Sequence, residues 1–449
     1  MPAPDLRKPA DRFYARLHWI AMGVIALILL HGFVLSRLVS TPRGVGFRLF
    51  ILNMLCFNVL WWSIADRRFA RFVASEGWSR GLRIAAGGFS LALNLPIFYM
   101  LATARVPQFL GSPAWVAAGV TIWHIGLVLV MPAAAGVRLV ALGAMAASHR
   151  LRRRPMSAPP TGPLSTRRAL LKTAVATGPM LALAGAIGAS RAAEGRFVIR
   201  RHEVPAPWLP DRLRGLTLTH ISDFHVGRLY RPHMLGRLID AVNRLDSDLV
   251  VVTGDIIDNS NDMLPAAVGA IRQLAHRHGV FLCIGNHDTI DDEAAFIEYT
   301  RARLPLLINE RRTLDIGGEK LTIAGLDYAS SRRPDGHNRR DRANAEIMLA
   351  GHDSDREGPV IALAHHPHAW DVLREQGVPL TLSGHTHGGQ IMFTPPDNPD
   401  DLGFGRVLFR YIRGFYDNAG QRLFVNSGVG NWFPVRINAP AEVVQIQLV

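Results

Sequence analysis

Between positions 223 and 387 the chain carries five short clusters of carboxylate, amide and imidazole side chains. They are Asp223-Phe224-His225, Gly254-Asp255-Ile256-Ile257-Asp258, Gly285-Asn286-His287-Asp288, His365-His366-Pro367 and Gly384-His385-Thr386-His387-Gly388-Gly389. Seven of these residues are metal ligands by type: Asp223, His225, Asp255, Asn286, His365, His385 and His387. A mixture of nitrogen and oxygen donors without thiolate suits Mn, Fe, Zn or Co better than Ca or Mg. Seven donors exceed what one tetrahedral or octahedral ion takes, but they fill two centres that share a bridging carboxylate. Two ions roughly 3.5–4 Å apart clamp the attacking and leaving oxygens of a phosphoryl transfer. Any one cluster would arise by chance in many chains; the ordered five together are specific.

Such donors converge only if the fold delivers them to one place. Each cluster comes after a short apolar run that reads as a strand: Leu216–Ile221, Leu249–Thr253, Val280–Ile284, Val360–Ala364 and Leu380–Leu382. Between them lie amphipathic stretches that read as helices, at Pro232–Leu245, Leu264–His276, Asp291–Arg301 and Ala369–Glu375. Gly317-Gly318 between Arg312–Ile316 and Lys320–Ala324 is a hairpin signal, and Val443–Val449 reads as a last strand. Alternating strands and helices with apolar strands predict α/β layers with covered sheets. Open α/β sheets gather their sites at the carboxyl ends of the strands, where these clusters fall.

Composition separates this part from the first 193 residues. The 449 residues are 49% hydrophobic and 19% charged, enough for two or three domains and unlike a disordered chain. The only cysteines, Cys56 and Cys283, cannot form a disulfide framework or a cysteine metal cluster. The net charge of +14 is unevenly placed. Residues 1–193 hold 22 Lys and Arg against 4 Asp and Glu, the remainder 28 against 32. Basicity confined to the most apolar part is the pattern of a membrane protein with positive loops, so no nucleic-acid partner is expected. Four apolar stretches, His18–Leu38, Phe47–Ala65, Leu82–Ala104 and Ala114–Ala147, are each of membrane-spanning length. Their arginine-rich flanks put the N-terminus, the second loop and residues 150–168 on the cytoplasmic side, with Trp19, Trp61, Trp62, Trp78 and Trp115 near span ends. His31 and His124 fall within these spans and read as interhelical hydrogen-bonding groups, with a haem or quinone ligand as the alternative.

A spacer at Pro155–Pro163 leads to Ser165-Thr166-Arg167-Arg168-Ala169-Leu170-Leu171-Lys172 and the apolar run Thr173–Ala189. This segment is similar to a twin-arginine export signal, and otherwise reads as a fifth span. Either reading carries the rest of the chain across the membrane. The expected organisation is a four-span helical anchor over 1–150, a cytoplasmic linker with the signal or fifth span over 151–194, and a soluble α/β domain over 195–449.

The ordered series Asp-x-His, Gly-Asp-x-x-Asp, Gly-Asn-His-Asp, His-x-Pro and Gly-His-x-His resembles the calcineurin-like metallophosphoesterases over about residues 215–449. With the spans ahead of it, and with Gly388-Gly389-Gln390 and Ser427-Gly428-Val429-Gly430, the chain resembles the membrane-associated branch of that family. The resemblance implies two facing mixed β-sheets flanked by helices. It implies one metal ion on Asp223, His225 and His387, the other on Asn286, His365 and His385, and Asp255 bridging. His287 would be a catalytic residue facing the leaving group, and Asp258 and Asp288 would orient ligands. The implied activity is hydrolysis of phosphodiester or phosphomonoester bonds by a membrane-anchored domain facing the periplasm or cell exterior. Its substrate is a phosphoester, lipid-linked or of the cell envelope, and its other partners are membrane lipids. The alternatives are a hydrolase of lipid-linked pyrophosphate, similar to the UDP-diacylglucosamine hydrolases, and a non-catalytic membrane sensor of phosphorylated ligands. Arg332–Arg342, with five arginines, reads as a solvated loop, Thr394–Gly405 as a rim of the site, and His276 and His278 as the end of a helix.

Overall fold

The computed structural model describes residues 195–449 apart from 228, 329–333, 397–400, 404 and 432–435, together with 52, 54–62 and a few isolated positions before 190. The chain divides into two compact units, Met1–Ala189 and Ser190–Val449.

In the second unit twelve strands form two six-stranded mixed sheets. The first holds β1 (Val198–Val204), β2 (Thr217–Ile221), β3 (Leu249–Thr253), β4 (Gly279–Cys283), β5 (Leu306–Leu307) and β12 (Glu442–Leu448), in the order β1-β12-β2-β3-β4-β5. The second holds β6 (Glu310–Ile316), β7 (Glu319–Gly325), β8 (Val360–Leu363), β9 (Leu380–Ser383), β10 (Gly414–Asn418) and β11 (Gln421–Val425), in the order β10-β11-β9-β8-β7-β6. Strands β2 to β5 run parallel, as do β7, β8, β9 and β11. Strands are apolar on both faces because both faces are covered. Leu249 and Val251 of β3 join Phe281, Ile361, Leu382 and Phe424 in a core between the sheets. Their neighbours Val250 and Val252 face outward onto the helices Leu235–Asn243 and Leu264–Ile271. On the other side Ala324 and Ala362 pack against the helices Pro334–Leu349 and Trp370–Glu375. The α/β domain with two mixed sheets is thus as expected, and β6 and β7 form the hairpin marked by Gly317-Gly318.

Three expectations need correction. The arginine run is not a loop from Pro334 onward, because Pro334–Leu349 is a helix; positions 332 and 333 lie outside the described residues. The helix expected to reach His276 ends at Ile271, so His276 and His278 lie in the turn before β4, where Arg277 and His278 donate backbone N–H groups to the Asp248 carbonyl. Strands β1, β10 and β11 carry no clean alternation in sequence and were not expected. β1 and β11 have partners distant in the chain, β12 and β9, and β10 forms a hairpin with β11.

For the first unit, no helix among the described residues is long and apolar enough to cross a membrane. Most of the four expected spans, His31, the spacer and the twin-arginine-like segment lie outside the described residues. Within them, residues 54–62 are helical and Asn58 Oδ1 accepts from Trp123 Nε1 at 2.8 Å and from Asn94 Nδ2 at 3.3 Å. Asn94 Oδ1 lies 3.3 Å from His124 Nε2, so His124 hydrogen-bonds to a distant segment of its own unit.

The strand ends leave no spare volume. A Cβ on Gly384 would collide with Ser222 Oγ and Asp223 Oδ2, which pins the end of β9 against the end of β2. Gly384→Ala is expected to cost about 1–3 kcal/mol by overpacking. Chemical denaturation checks this, and a variant as stable as the parent would show that the two strand ends separate freely.

Candidate metal centre

All five clusters lie where β2, β3, β4, β8 and β9 end, and all seven predicted ligands come together. Asn286 Oδ1 lies 2.9 Å from His385 Nδ1 and 3.1 Å from His365 Nε2, and those two nitrogens are 3.1 Å apart. On the other side His387 Nε2 lies 3.0 Å from His225 Nε2 and 3.4 Å from Asp223 Oδ1. Between the halves stands Asp255: its Oδ2 is 3.2 Å from His365 Nε2 and 3.4 Å from His225 Nε2. Three groups of donor atoms fall within 4.8 Å: Asp223, His225 and His387; Asp255, His365 and His385; and His225, Asp255 and His287. Imidazole nitrogens converge on one another here and on two buried carboxylates, a cluster that needs positive charge among its donors, from protons or from bound cations. The donor chemistry therefore fits two metal ions.

The aim of each side chain comes from its backbone and its second hydrogen bond. Asp223, His225, Asp255, His385 and His387 all have positive φ, between 46° and 72°. A residue with a Cβ in this left-handed region carries a cost of about 1–3 kcal/mol, a strain found at sites that the surrounding structure over-determines. His365 donates from Nδ1 to the Thr253 carbonyl at 2.7 Å, which leaves Nε2 for the site. The His385 backbone N–H donates to both Asp223 carboxylate oxygens, at 3.0 and 3.1 Å.

Asp288 does the same for the backbone. Its buried carboxylate accepts N–H groups from Asp255, Ile256 and Gly285, each at 2.9 Å, and from Ile257 at 3.4 Å. The expected orienting role of Asp288 is therefore carried by the loops rather than by a histidine. Asp258 holds a histidine directly: its carbonyl accepts from His287 Nδ1 at 2.5 Å. The His287 backbone N–H in turn donates to Asp255 Oδ1 at 2.8 Å. His366, the neighbour of His365, stacks against His385 with ring centres 4.7 Å apart. Of Thr394–Gly405, positions 397–400 and 404 lie outside the described residues; Gly403 bridges to Met392, just after the Gly-His-x-His loop.

Two contributors were invisible in sequence. The Tyr328 ring lies 6.0 Å from His365 and 6.3 Å from His385. Arg436 donates to the His387 carbonyl at 3.2 Å and lies 3.1 Å from its Nδ1. Neither sits in a cluster of ligand-type residues, and no local signal marks them.

Charge is shared unevenly among the imidazoles. Burial alone would lower His225 and His365, but Asp223, Asp258 and Asp255 around the first and Asp255 beside the second push them up, to about 10 and about 9. Burial lowers His385 to about 3 and takes His387 well below its ordinary range. Burial also lowers His287, against the pull of the Asp255 carboxylate.

This distribution has two measurable outcomes. His225 and His365 hold protons at neutral pH in metal-free protein and must lose them to bind cations. Loading chelator-treated protein with Mn²⁺ at pH 7 is expected to release about two protons, seen as a dependence of binding heat on buffer ionisation enthalpy. In that metal-free protein the two raised histidines contribute stability that is complete below about pH 6.5. It is lost as pH rises through about 9 and about 10. Asp255→Asn removes the shared charge while β3 needs no carboxylate there. Metal content and turnover are expected to collapse with the fold retained, and two firmly bound ions in this variant would refute the bridge.

Known proteins agree with this geometry. The family model described as Calcineurin-like phosphoesterase matches residues 216–389. The chain is 31% identical over 264 residues to the Danio rerio transmembrane protein with metallophosphoesterase domain, a match covering 55% of this chain and 56% of that one. A metallophosphoesterase of Helicobacter pylori is 29% identical over 237 residues, which is 52% of this chain and 60% of that one. These two matches thus span little more than half of each relative. The Bacillus subtilis metallophosphoesterase YkuE is 30% identical over 300 residues, 63% of this chain and 97% of YkuE. With the motif series, its convergence at strand ends from both sheets and near-complete coverage of a relative, this chain belongs to the calcineurin-like metallophosphoesterase family.

Proposed function

We propose that the protein is a membrane-anchored, metal-dependent phosphoesterase that hydrolyses phosphodiester or phosphomonoester bonds. The position of Asp255 Oδ2 between His225 Nε2 and His365 Nε2 carries this reading, because a shared carboxylate is what holds two cations side by side. Asp223, His225 and His387 would hold one ion, Asn286, His365 and His385 the other. Bound there, two divalent or trivalent ions of the Mn, Fe, Zn or Co type supply Lewis-acid charge for the phosphoryl oxygens and acidify the attacking water.

The remaining work falls to His287. Its Nδ1 is committed to the Asp258 carbonyl and its backbone N–H to Asp255, so the ring is fixed and Nε2 is the nitrogen left for proton traffic. We assign it as the acid that protonates the departing oxygen, a contribution of about 10²–10⁴-fold.

The membrane reading has its own support. In the first unit the large apolar residues Leu91, Leu95 and Phe98 are 46–58% exposed, whereas Asn58, Asn94 and His124 are buried. Phe57, Leu60 and Leu127 are buried there as well, but exposed leucine and phenylalanine over buried, paired amides is an arrangement that lipid favours and water does not. The arginine flanks orient such an anchor with the catalytic domain facing the periplasm or cell exterior, where a lipid-linked or cell-envelope phosphoester is the substrate within reach.

His287→Ala is expected to keep both ions and to lose far more rate on alkyl esters than on nitrophenyl esters. Rates plotted against leaving-group pKa, with metal content in parallel, decide this; equal loss across the series makes His287 a ligand or a structural residue. Product release also separates an esterase from a sensor, which would bind without turnover. For orientation, changing Arg167 and Arg168 together to Lys should trap the domain in the cytoplasm if the twin-arginine route is used. Unchanged protease accessibility in spheroplasts would leave an ordinary fifth span.

A further inference from the structure

A buried guanidinium stands directly behind one half of the site. Arg436 donates from Nε to Asn431 Oδ1 at 2.5 Å, from one terminal nitrogen to the carbonyls of His387 and Ala439 at 3.2 and 3.1 Å, and from the other to the carbonyls of Gly430 and Gly428 at 2.6 and 3.3 Å. That second nitrogen also lies 3.1 Å from His387 Nδ1. These partners belong to two separate loops. One comes after β9 and carries His387; the other comes after β11 and runs through Ser427-Gly428-Val429-Gly430.

The second loop is the back support of Asp223. Val429 N–H donates to the Ser222 carbonyl at 3.0 Å, and Gly430 N–H to the Asp223 carbonyl at 2.8 Å. A Cβ on Gly428 would stand 2.7 Å from Asp223 Cβ, and one on Gly430 would collide with the Phe224 carbonyl. The loop therefore fits against the Asp-x-His turn with no room to shift. Arg436 thus fastens the loop that aims His387 to the loop that backs Asp223. Among its hydrogen bonds none reaches Asn286, His365 or His385. A rigid planar fork can serve several acceptors at once, which a lysine cannot do.

We propose that Arg436 is a positioning residue for the ion held by Asp223, His225 and His387, and not for its neighbour. This rests on the two-ion reading of the site. Partners behind a metal ligand fix its ring and typically change metal affinity 10–100-fold when removed. Arg436→Gln should therefore weaken one of two ions by about 10–100-fold and leave the other unchanged. Arg436→Lys should recover little, because it keeps the charge but cannot span both loops.

The test is titration of the chelator-treated full-length protein with Mn²⁺, monitored by isothermal calorimetry, and elemental analysis after gel filtration. Wild type is expected to retain two equivalents and Arg436→Gln one. Adding Arg436→Gln to His387→Ala should cost no further metal, since both act on the same ion; adding it to Asn286→Ala should remove what remains. Two equivalents held by Arg436→Gln with wild-type affinity would overturn the proposal, as would equal weakening of both ions. Melting of metal-free Arg436→Gln well below metal-free wild type would overturn it too, by making the residue's contribution one to the fold. A wild type that takes up a single equivalent would instead refute the two-ion reading.

Discussion

The Asp255 carboxylate is the point through which the two halves of the site communicate. Its Oδ2 lies within 3.4 Å of a histidine nitrogen on either side, and its Oδ1 accepts the His287 backbone N–H. A buried carboxylate in this position is stable only while positive charge surrounds it. In the absence of metal, protonated His225 and His365 provide that charge; with metal, cations do. The same balance makes proton release and metal uptake two sides of one equilibrium.

Holding such a carboxylate still requires backbone that gives up its own comfort. Asp255 adopts a left-handed conformation at φ 54°, as do Asp223, His225, His385 and His387. Asp288 compensates by accepting the N–H groups of Asp255, Ile256 and Ile257 together with that of Gly285. The carboxylate of one loop thus ties the end of β3 to the end of β4. Gly254 and Gly285 touch at that junction, where a Cβ on Gly254 would stand 2.6 Å from the Gly285 nitrogen. Strain at the ligands and close packing of the glycines beside them are two consequences of bringing strand ends together around shared charge.

The two units bury different polar groups. In the second, apolar side chains fill the space between the sheets and the polar donors gather where strands of both sheets end. In the first, buried asparagine and histidine hydrogen-bond one another beside buried Phe57, Leu60 and Leu127, while Leu91, Leu95 and Phe98 are exposed. A buried amide is costly unless paired, and here each amide oxygen has a donor or a ring nitrogen facing it.

The donor clusters, their order and the strands that deliver them were legible in the sequence, for a physical reason. Leu249–Thr253 is apolar because both sheet faces are covered, and Asp255 lies just beyond it because the strand end is where chemistry can reach solvent. Those are local properties. The hairpin of β6 and β7 was equally local, set by two glycines in one turn. What stayed hidden depends on contacts between segments far apart in the chain. Strand β1 is a strand because β12, more than two hundred residues later, lies beside it. The arginines after Pro334 looked like a solvated loop, yet the same segment carries Ala345 and Met348, which a helix turns onto the second sheet. Arg436 belongs to no motif, because its place at the site comes from joining acceptors in its own loop to His387, 49 residues earlier. Residue type and spacing determined which chemistry was possible; only the folded chain decided which oxygen stands between which nitrogens, and what holds it there.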